Sequence, residues 1–202
     1  MISTLFLICW LICALVLVKS SLLEQQSFDA PFQDVDNFGN RIVNPYFKTF
    51  GTTVVNNNFI RLTPDRQSKK GAVWARKAVG VEDLSAILKF RISGQGKNFF
   101  GDGIAMWFTD SSYYTEGDLH GFDETFTGVG IVVDTFKNTE RLAQHRDITV
   151  LVNDGSRTFE LMTDSENLQG CNINVRYHNE RADFSVQDAS RIKVVFKGDT
   201  NG

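Results

Sequence analysis

Two acidic residues stand at the polar ends of apolar segments near the middle of this sequence. Asp102 lies between two glycines just before an apolar run, whereas Asp134 ends the apolar run 129–133 and is followed four residues later by Asn138. Carboxylate and amide oxygens suit a hard cation, and the same groups form hydrogen bonds with a polar ligand. Two interpretations remain open from the spacing: one shared site, or a pair of solvated strand ends.

The flanking sequence predicts that strands carry these residues. Continuous apolar runs at 103–109 and 129–133 are typical of buried strands, and strict alternation over 84–93 indicates a half-buried one. The polar segment 110–127 between them is long, which predicts a functional loop. Shorter segments predict further strands at 59–63, 71–75, 173–177, 182–186 and 192–196, a polar loop at 163–170, and a hairpin of 148–152 with 157–161 around Asn153-Asp154-Gly155. Many short strands without helical periodicity predict an all-β sandwich.

Length and charge favour one domain without a nucleic-acid partner. The 202 residues fit a single β domain, and the net charge of -3 comes without any basic block. The apolar stretch 5–18 is shorter than the ~20 residues that span a bilayer. We therefore predict a signal peptide at 1–20 and one domain at 21–202, with a short uncleaved anchor as the alternative.

Cys171 is the one cysteine left in 21–202, which indicates a missing partner or a free thiol. The sequence stops shortly after the strand-like run 192–196. We expect a fragment, truncated at its C-terminus, with the cysteine's partner and a membrane anchor lying beyond residue 202.

Four segments in order resemble the L-type (legume-type) lectin family. They are Arg61–Pro64, Ser68–Trp74, Gly101–Trp107 and Gly128–Phe136. The similarity spans roughly residues 28–197 and is closest to the intracellular branch, the cargo-receptor lectins of the endoplasmic reticulum, intermediate compartment and Golgi. It implies a concanavalin A-like jelly-roll sandwich of two large antiparallel sheets, incomplete here at the C-terminus.

The resemblance also implies a Ca²⁺ site. By motif position its ligands are the Asp134 carboxylate, the Phe136 carbonyl oxygen, the Asn138 side chain and Asp164, with water completing a shell of roughly 6–8 oxygens. For Asp164, an ordinary loop carboxylate remains the alternative.

The implied carbohydrate site lies beside that metal. Asp102 would accept charge-assisted hydrogen bonds from sugar hydroxyls. Asn138 would donate hydrogen bonds from its side-chain amide, and Gly103 would let the backbone approach the sugar closely. Ser68 matches a loop serine that touches the glycan, although a solvated serine remains an alternative. By resemblance, Gly101–Asp102 is expected to be a cis peptide.

Two departures separate this sequence from the family pattern. Leu161 stands where the family has a sugar-binding histidine, and leucine cannot donate to a hydroxyl. The sequence also stops before the family's Gly-Asp-Leu sugar-binding loop. Cys171 matches the first cysteine of the family's loop disulfide.

Aromatic and histidine residues receive structural roles. Trp74 and Trp107 could stack on a sugar ring, but both lie in strand-like runs, as does Phe108, and all three are expected in the core. His120, His145 and His178 lack ligand spacing and are expected at the surface.

The implied function is calcium-dependent binding of high-mannose N-glycans on cargo glycoproteins, in transport between the endoplasmic reticulum and the Golgi. A sandwich-fold glycosidase is disfavoured, because it would need two carboxylates ~5–9.5 Å apart, and such hydrolases tend to carry Glu-x-Asp-x-Glu, which is absent here. A lectin-like scaffold that acts through protein contacts without binding sugar is the remaining alternative, which Leu161 favours.

Overall fold

The computed structural model describes residues 22–96, 100–136, 145–159, 169–177 and 189–198. Besides a short 3-10 helix, Glu24–Gln26, it contains the strands β1 (Phe47–Gly51), β2 (Val54–Val55), β3 (Ile60–Arg61), β4 (Gly71–Ala75), β5 (Leu84–Phe90), β6 (Gly103–Thr109), β7 (Thr127–Asp134), β8 (Ile148–Asp154), β9 (Gln169–Cys171) and β10 (Ser190–Phe196). All pairs of these strands are antiparallel. The expected all-β class is confirmed.

A four-stranded sheet carries both acidic residues, in the order β6-β7-β8-β9. Its central strand β7 contains Val132 and Val133, both 0 % exposed, and neighbouring β8 contributes the equally buried Leu151. A strand with neighbours on both sides and packing on both faces has few exposed positions, which explains the continuous apolar run 129–133 in β7.

Aromatic side chains pack against both faces of β6, because successive side chains of a strand point to opposite faces. On one face the Trp107 ring lies 5.0 Å from the rings of Phe122 and Phe126. On the other face the Phe108 ring lies 4.7 Å from that of Phe196 in β10. Trp74 joins the first cluster by stacking on Phe122 at 5.0 Å. The predicted core roles of these aromatic residues are confirmed.

Three two-stranded sheets complete the strands of the described residues: β1-β4, β5-β10 and β2-β3. In β5, partly buried and exposed residues alternate as the sequence predicts. A second core cluster forms near β1 from Phe32, Val43 and Phe47. No helix among the described residues has the length and apolar character needed to cross a bilayer.

Three local predictions are wrong. The expected hairpin partner 157–161 is wrong in its described part, since 157–159 is not a strand and β8 pairs instead with β7 and β9. The expected loop 163–170 contains the start of β9, and 173–177 forms only an isolated parallel bridge from Arg176 to Ile92. The predicted strand 182–186 lies outside the described residues.

Candidate functional site

The antiparallel pairing of β6 with β7 brings the two acidic segments together. Gly103 is the register partner of Asp134, so Asp102 lies at the same sheet end as Asp134. The Thr135 amide donates to the Asp102 carbonyl oxygen over 2.7 Å, and the Thr135 hydroxyl donates to the same oxygen over 3.2 Å. The expected cis peptide at Gly101–Asp102 is confirmed. Asp102 itself is exposed, so its carboxylate is accessible to a ligand.

Only glycine fits at the position after Asp102. A Cβ atom on Gly103 would stand 1.8 Å from the Val133 carbonyl oxygen, far inside van der Waals contact. A Cβ on Gly101 would stand 2.6 Å from the Phe136 Cβ. The two glycines therefore let the backbone around Asp102 pack directly onto the end of β7 and onto Phe136 behind it.

Asp134 shapes the chain that follows it. Its Oδ1 accepts a hydrogen bond of 2.8 Å from the Phe136 amide, which turns the backbone at the strand end. The Asp134 amide donates to the Asp147 carbonyl oxygen over 2.9 Å, and this bond fixes Asp134 from the β8 side. The aspartate and the Phe136 backbone are thus held as one compact unit.

This unit fits the expected hard-cation chemistry in its donor type. A carboxylate and a backbone carbonyl are both oxygen ligands of the kind Ca²⁺ takes, and both belong to the turn from Asp134 to Phe136. The other two expected ligands, Asn138 and Asp164, lie outside the described residues, as does Leu161. Among the residues that are described, no group of three or more His, Cys, Asp or Glu side chains could hold a metal ion.

Ser68 belongs to an exposed loop, residues 65–70, that forms hydrogen bonds with two neighbouring segments. Ser68 has a positive φ of 56°, an uncommon backbone conformation for a non-glycine residue. On one side Lys70 Nζ donates to the Gly117 carbonyl oxygen over 2.9 Å and to Asp118 Oδ1 over 3.1 Å. The hydrogen bond to Asp118 raises the pKa of Lys70 above its usual range.

The same loop contacts the segment before Asp102. Asp65 Oδ2 accepts a 2.7 Å hydrogen bond from the Gln95 amide. Residues 65–70 are therefore connected both to residues 94–96 and to the loop 110–126. The long polar loop that the sequence marks as functional is part of this arrangement, and its Leu119 and Phe122 are buried.

The prediction of surface histidines is wrong for two of the three. His120 is partly buried, and burial lowers its pKa below the usual 6.5, while the nearby Asp102 charge partly offsets that effect. The His145 side chain is only 10 % exposed, and its Nε2 lies 3.1 Å from Asp147 Oδ1. His178 lies outside the described residues.

Sequence reasoning missed three residues near the site: His120, Asp147 and Arg176. None belongs to a motif, and their contacts join segments far apart in the chain. The positive φ of 49° at His120, directly before Gly121, marks a tight turn that a His-Gly pair in a long loop could have signalled. Cys171 is exposed at the sheet edge, with no disulfide partner among the described residues.

The antiparallel β-structure, with acidic residues at one end of its four-stranded sheet, is the architecture expected for an L-type lectin-like domain, and the sequence comparison agrees. The model of the legume-like lectin family matches residues 19–201. This chain belongs to the legume-like lectin family.

The relatives lie in the branch that the motifs indicate. The VIP36-like protein of Mus musculus is 36 % identical over 166 residues, which cover 77 % of this chain and 46 % of the relative. The vesicular integral-membrane protein VIP36 of Canis lupus familiaris is 32 % identical over 172 residues, covering 82 % and 46 %. The chain thus spans about half the length of the curated relatives it matches.

Solved structures agree with the fold. The VIP36 exoplasmic/lumenal domain in its Ca²⁺/Man2-bound form superposes with a TM-score of 0.71 at 28 % identity, covering 86 % of this chain and 66 % of that domain. The carbohydrate recognition domain of Emp47p, at 20 % identity and a TM-score of 0.59, covers 89 % and 72 % and shares the fold. The concanavalin A-like sandwich implied by the motifs is therefore the observed fold class.

Proposed function

We propose that this chain is a calcium-dependent lectin domain that binds the mannose residues of high-mannose glycans. The observation that carries the proposal is the pairing of Gly103 with Asp134, which sets Asp102 and the turn from Asp134 to Phe136 side by side. Solved structures of the related VIP36 domain include Ca²⁺-bound and mannose-bound forms.

Asp102 has the main sugar-binding role in this proposal. An ionised carboxylate accepts hydrogen bonds from two hydroxyl groups, and such charge-assisted hydrogen bonds are about twice as strong as neutral ones. Gly103 keeps the backbone close to the ligand, and Ser68 offers a hydroxyl from the neighbouring loop. Asn138 would donate its amide hydrogens from the other side.

The chain's own oxygens would hold the metal. Asp134, the Phe136 carbonyl, Asn138 and Asp164 are the proposed ligands, an all-oxygen set suited to Ca²⁺. When bound, calcium would supply the positive charge that fixes these oxygens in one arrangement. The hydrogen bonds around Asp134 and Thr135 hold two of the four ligands in place beside Asp102 without it.

Context comes from the relatives. Several are named vesicular integral-membrane proteins, and we place this domain in the lumen of the secretory pathway. There it would recognise cargo glycoproteins between the endoplasmic reticulum and the Golgi. Residues 1–20 would be the signal peptide and residues 21–202 the lectin domain. The domain would bind its glycan without cleaving it, because family and fold are those of lectins.

Calorimetry with methyl α-mannoside tests the proposal, with methyl β-galactoside as the control sugar. We expect binding of the mannoside in calcium and none after chelation. A folded, calcium-saturated protein that ignores mannosides would instead support the scaffold alternative. Release of free mannose from a glycan would indicate an enzyme.

A further inference from the structure

Glycines lie on both sides of Asp102. Gly94 and Gly96 precede it, and Gly101 and Gly103 flank it directly. Glycine has more accessible backbone conformations than any other residue, so these positions receive little restraint from their own side chains. The place of Asp102 therefore depends on contacts from other parts of the chain, such as the hydrogen bonds from Thr135 to its carbonyl oxygen.

Arg176 supplies such contacts on both sides of residues 97–99. Its Nη2 donates to the carbonyl oxygens of Gly94 and Gly96, over 3.0 and 2.5 Å. Its guanidinium lies over the Phe100 ring, 3.7 Å from the ring centre. Phe100 is the residue directly before Gly101–Asp102, so the Arg176 side chain restrains the backbone that leads into Asp102.

Arg176 is itself held by the part of the chain that follows β9. It forms a parallel bridge with Ile92, and the Tyr177 amide donates to the Ile92 carbonyl oxygen over 2.8 Å. Earlier in the same segment, the Ile173 amide donates to Asp147 Oδ2 over 2.7 Å. Because the Asp147 carbonyl oxygen accepts the Asp134 amide, residues 173–177 connect the Asp134 turn to the Asp102 segment.

We infer that Arg176 is a positioning residue for sugar binding: by clamping Gly94, Gly96 and Phe100 it holds Asp102 where a hydroxyl pair can reach it. The inference rests on the proposed function. The geometry needs an arginine, because the planar group stacks on the ring while one of its nitrogens donates to both carbonyls. A lysine ammonium is compact and has no planar face to stack on the Phe100 ring, so lysine would keep only part of these contacts.

The test compares Arg176→Met and Arg176→Lys with Arg157→Met. Arg157 also lies over a phenylalanine ring, 5.4 Å from the centre of Phe159, but it follows the opposite end of the β6–β7–β8 sheet. We expect Arg176→Met to weaken methyl α-mannoside binding by about tenfold or more, as for lost bonds from a charged donor. The affinity of Arg176→Lys for methyl α-mannoside should lie between those of the wild type and Arg176→Met. Arg157→Met should bind the sugar as tightly as the wild type does. Calcium affinity should change little in all three.

Amide hydrogen exchange provides a readout independent of sugar. The Thr135 amide donates to the Asp102 carbonyl oxygen, so its exchange should accelerate by about tenfold in Arg176→Met if Asp102 is released. The Phe159 amide, bonded to the Glu124 carbonyl oxygen at the other sheet end, should not change. A merely structural arginine would alter both amides together, and that result would overturn the inference.

The two proposals fail in distinguishable ways. If the wild type does not bind mannosides but the Thr135 amide exchanges faster in Arg176→Met, the positioning role of Arg176 is supported and the proposed function is wrong. If the wild type binds mannosides while Arg176→Met leaves both the mannoside affinity and the Thr135 exchange rate unchanged, only the positioning role of Arg176 is wrong. Should Arg176→Met not fold, Phe100→Leu carries the same expectations, because it removes the stacked ring and keeps an apolar side chain.

Discussion

Asp102 is the residue on which sugar recognition depends most in this proposal. Replacing it with Asn keeps the shape and removes the charge. Hydrogen bonds to a charged group contribute about 1.5–3 kcal/mol, so we expect Asp102→Asn to weaken methyl α-mannoside binding by about 10- to 100-fold. Calorimetry in saturating calcium measures the loss.

Asp110→Asn is the matched control for this substitution. Asp110 is also exposed, but it follows the opposite end of β6. It should bind mannoside as the wild type does. Equal affinities for Asp102→Asn and the wild type would exclude Asp102 from the sugar site.

His120 gives the domain a pH dependence of known sign. Its folded pKa lies below the usual 6.5, chiefly because of burial. The unfolded chain therefore binds the proton more readily, so stability falls as the pH drops through 6.5 towards the folded pKa. Each unit of depression is worth about 1.4 kcal/mol.

Chemical denaturation at pH 7 and pH 5 checks this effect. Asn cannot titrate and tolerates the positive φ of this position. We therefore expect His120→Asn to lose less stability than the wild type between the two pH values. Parallel pH profiles for the two proteins would show that His120 makes no contribution.

At the residue scale, motif residues and contact residues differ in how far the sequence reveals them. Asp102 and Asp134 are visible because each follows or precedes a buried apolar run, and their juxtaposition follows from pairing those runs. Arg176 and Asp147 act through backbone atoms of segments distant in sequence. Backbone acceptors carry no residue signature, so sequence alone could not reveal these contacts.

At the scale of elements, the β6–β7 pair is the scaffold of the site, and glycines allow its strands to approach. Gly128 has a positive φ of 135°, and a Cβ atom there would stand 2.1 Å from the Phe108 carbonyl oxygen. We expect Gly128→Ala to lower the free energy of unfolding by more than about 2 kcal/mol, since backbone on the partner strand must move. Denaturant titration measures this change.

Gly39→Ala is the control that separates the steric clash expected at Gly128 from the strain of placing alanine at a positive φ. Gly39 also has a positive φ, 82°, but a Cβ there would meet no atom within 4 Å. It should lose only about 1 kcal/mol. If both variants lost the same amount, steric contact across the strands would not be the cause.

Strand prediction succeeded where the apolar pattern was regular, whether continuous or alternating, and failed where it was weak. The continuous runs 103–109 and 129–133 lie in β6 and β7, and the alternating run 84–93 contains β5. The Asn153-Asp154-Gly155 turn signal misled, because residues 157–159 form no strand and the Arg157 carbonyl oxygen accepts a hydrogen bond from the Asn153 side chain. The three residues of β9 are all exposed, so they lack the alternation that marks a strand.

At the scale of the whole molecule, one ion would join ligands from two separate segments. Asp134, Phe136 and Asn138 belong to residues 134–138, whereas Asp164 lies 26 residues further along the sequence. Such a site forms only in the folded chain, so binding calcium must stabilise the fold by mass action.

Calcium should therefore raise the thermal stability of the wild type. At 100 times its dissociation constant the ion adds about 2.7 kcal/mol, or roughly 5–10 °C in midpoint for a domain of this size. Asp134→Asn removes a charged ligand and should lose most of that shift. Asp154→Asn should retain it, since Asp154 is an exposed strand-end carboxylate at the far end of the sheet. Thermal melts in calcium and in chelator compare the three proteins, and an equal calcium shift in both variants would exclude Asp134 as a ligand.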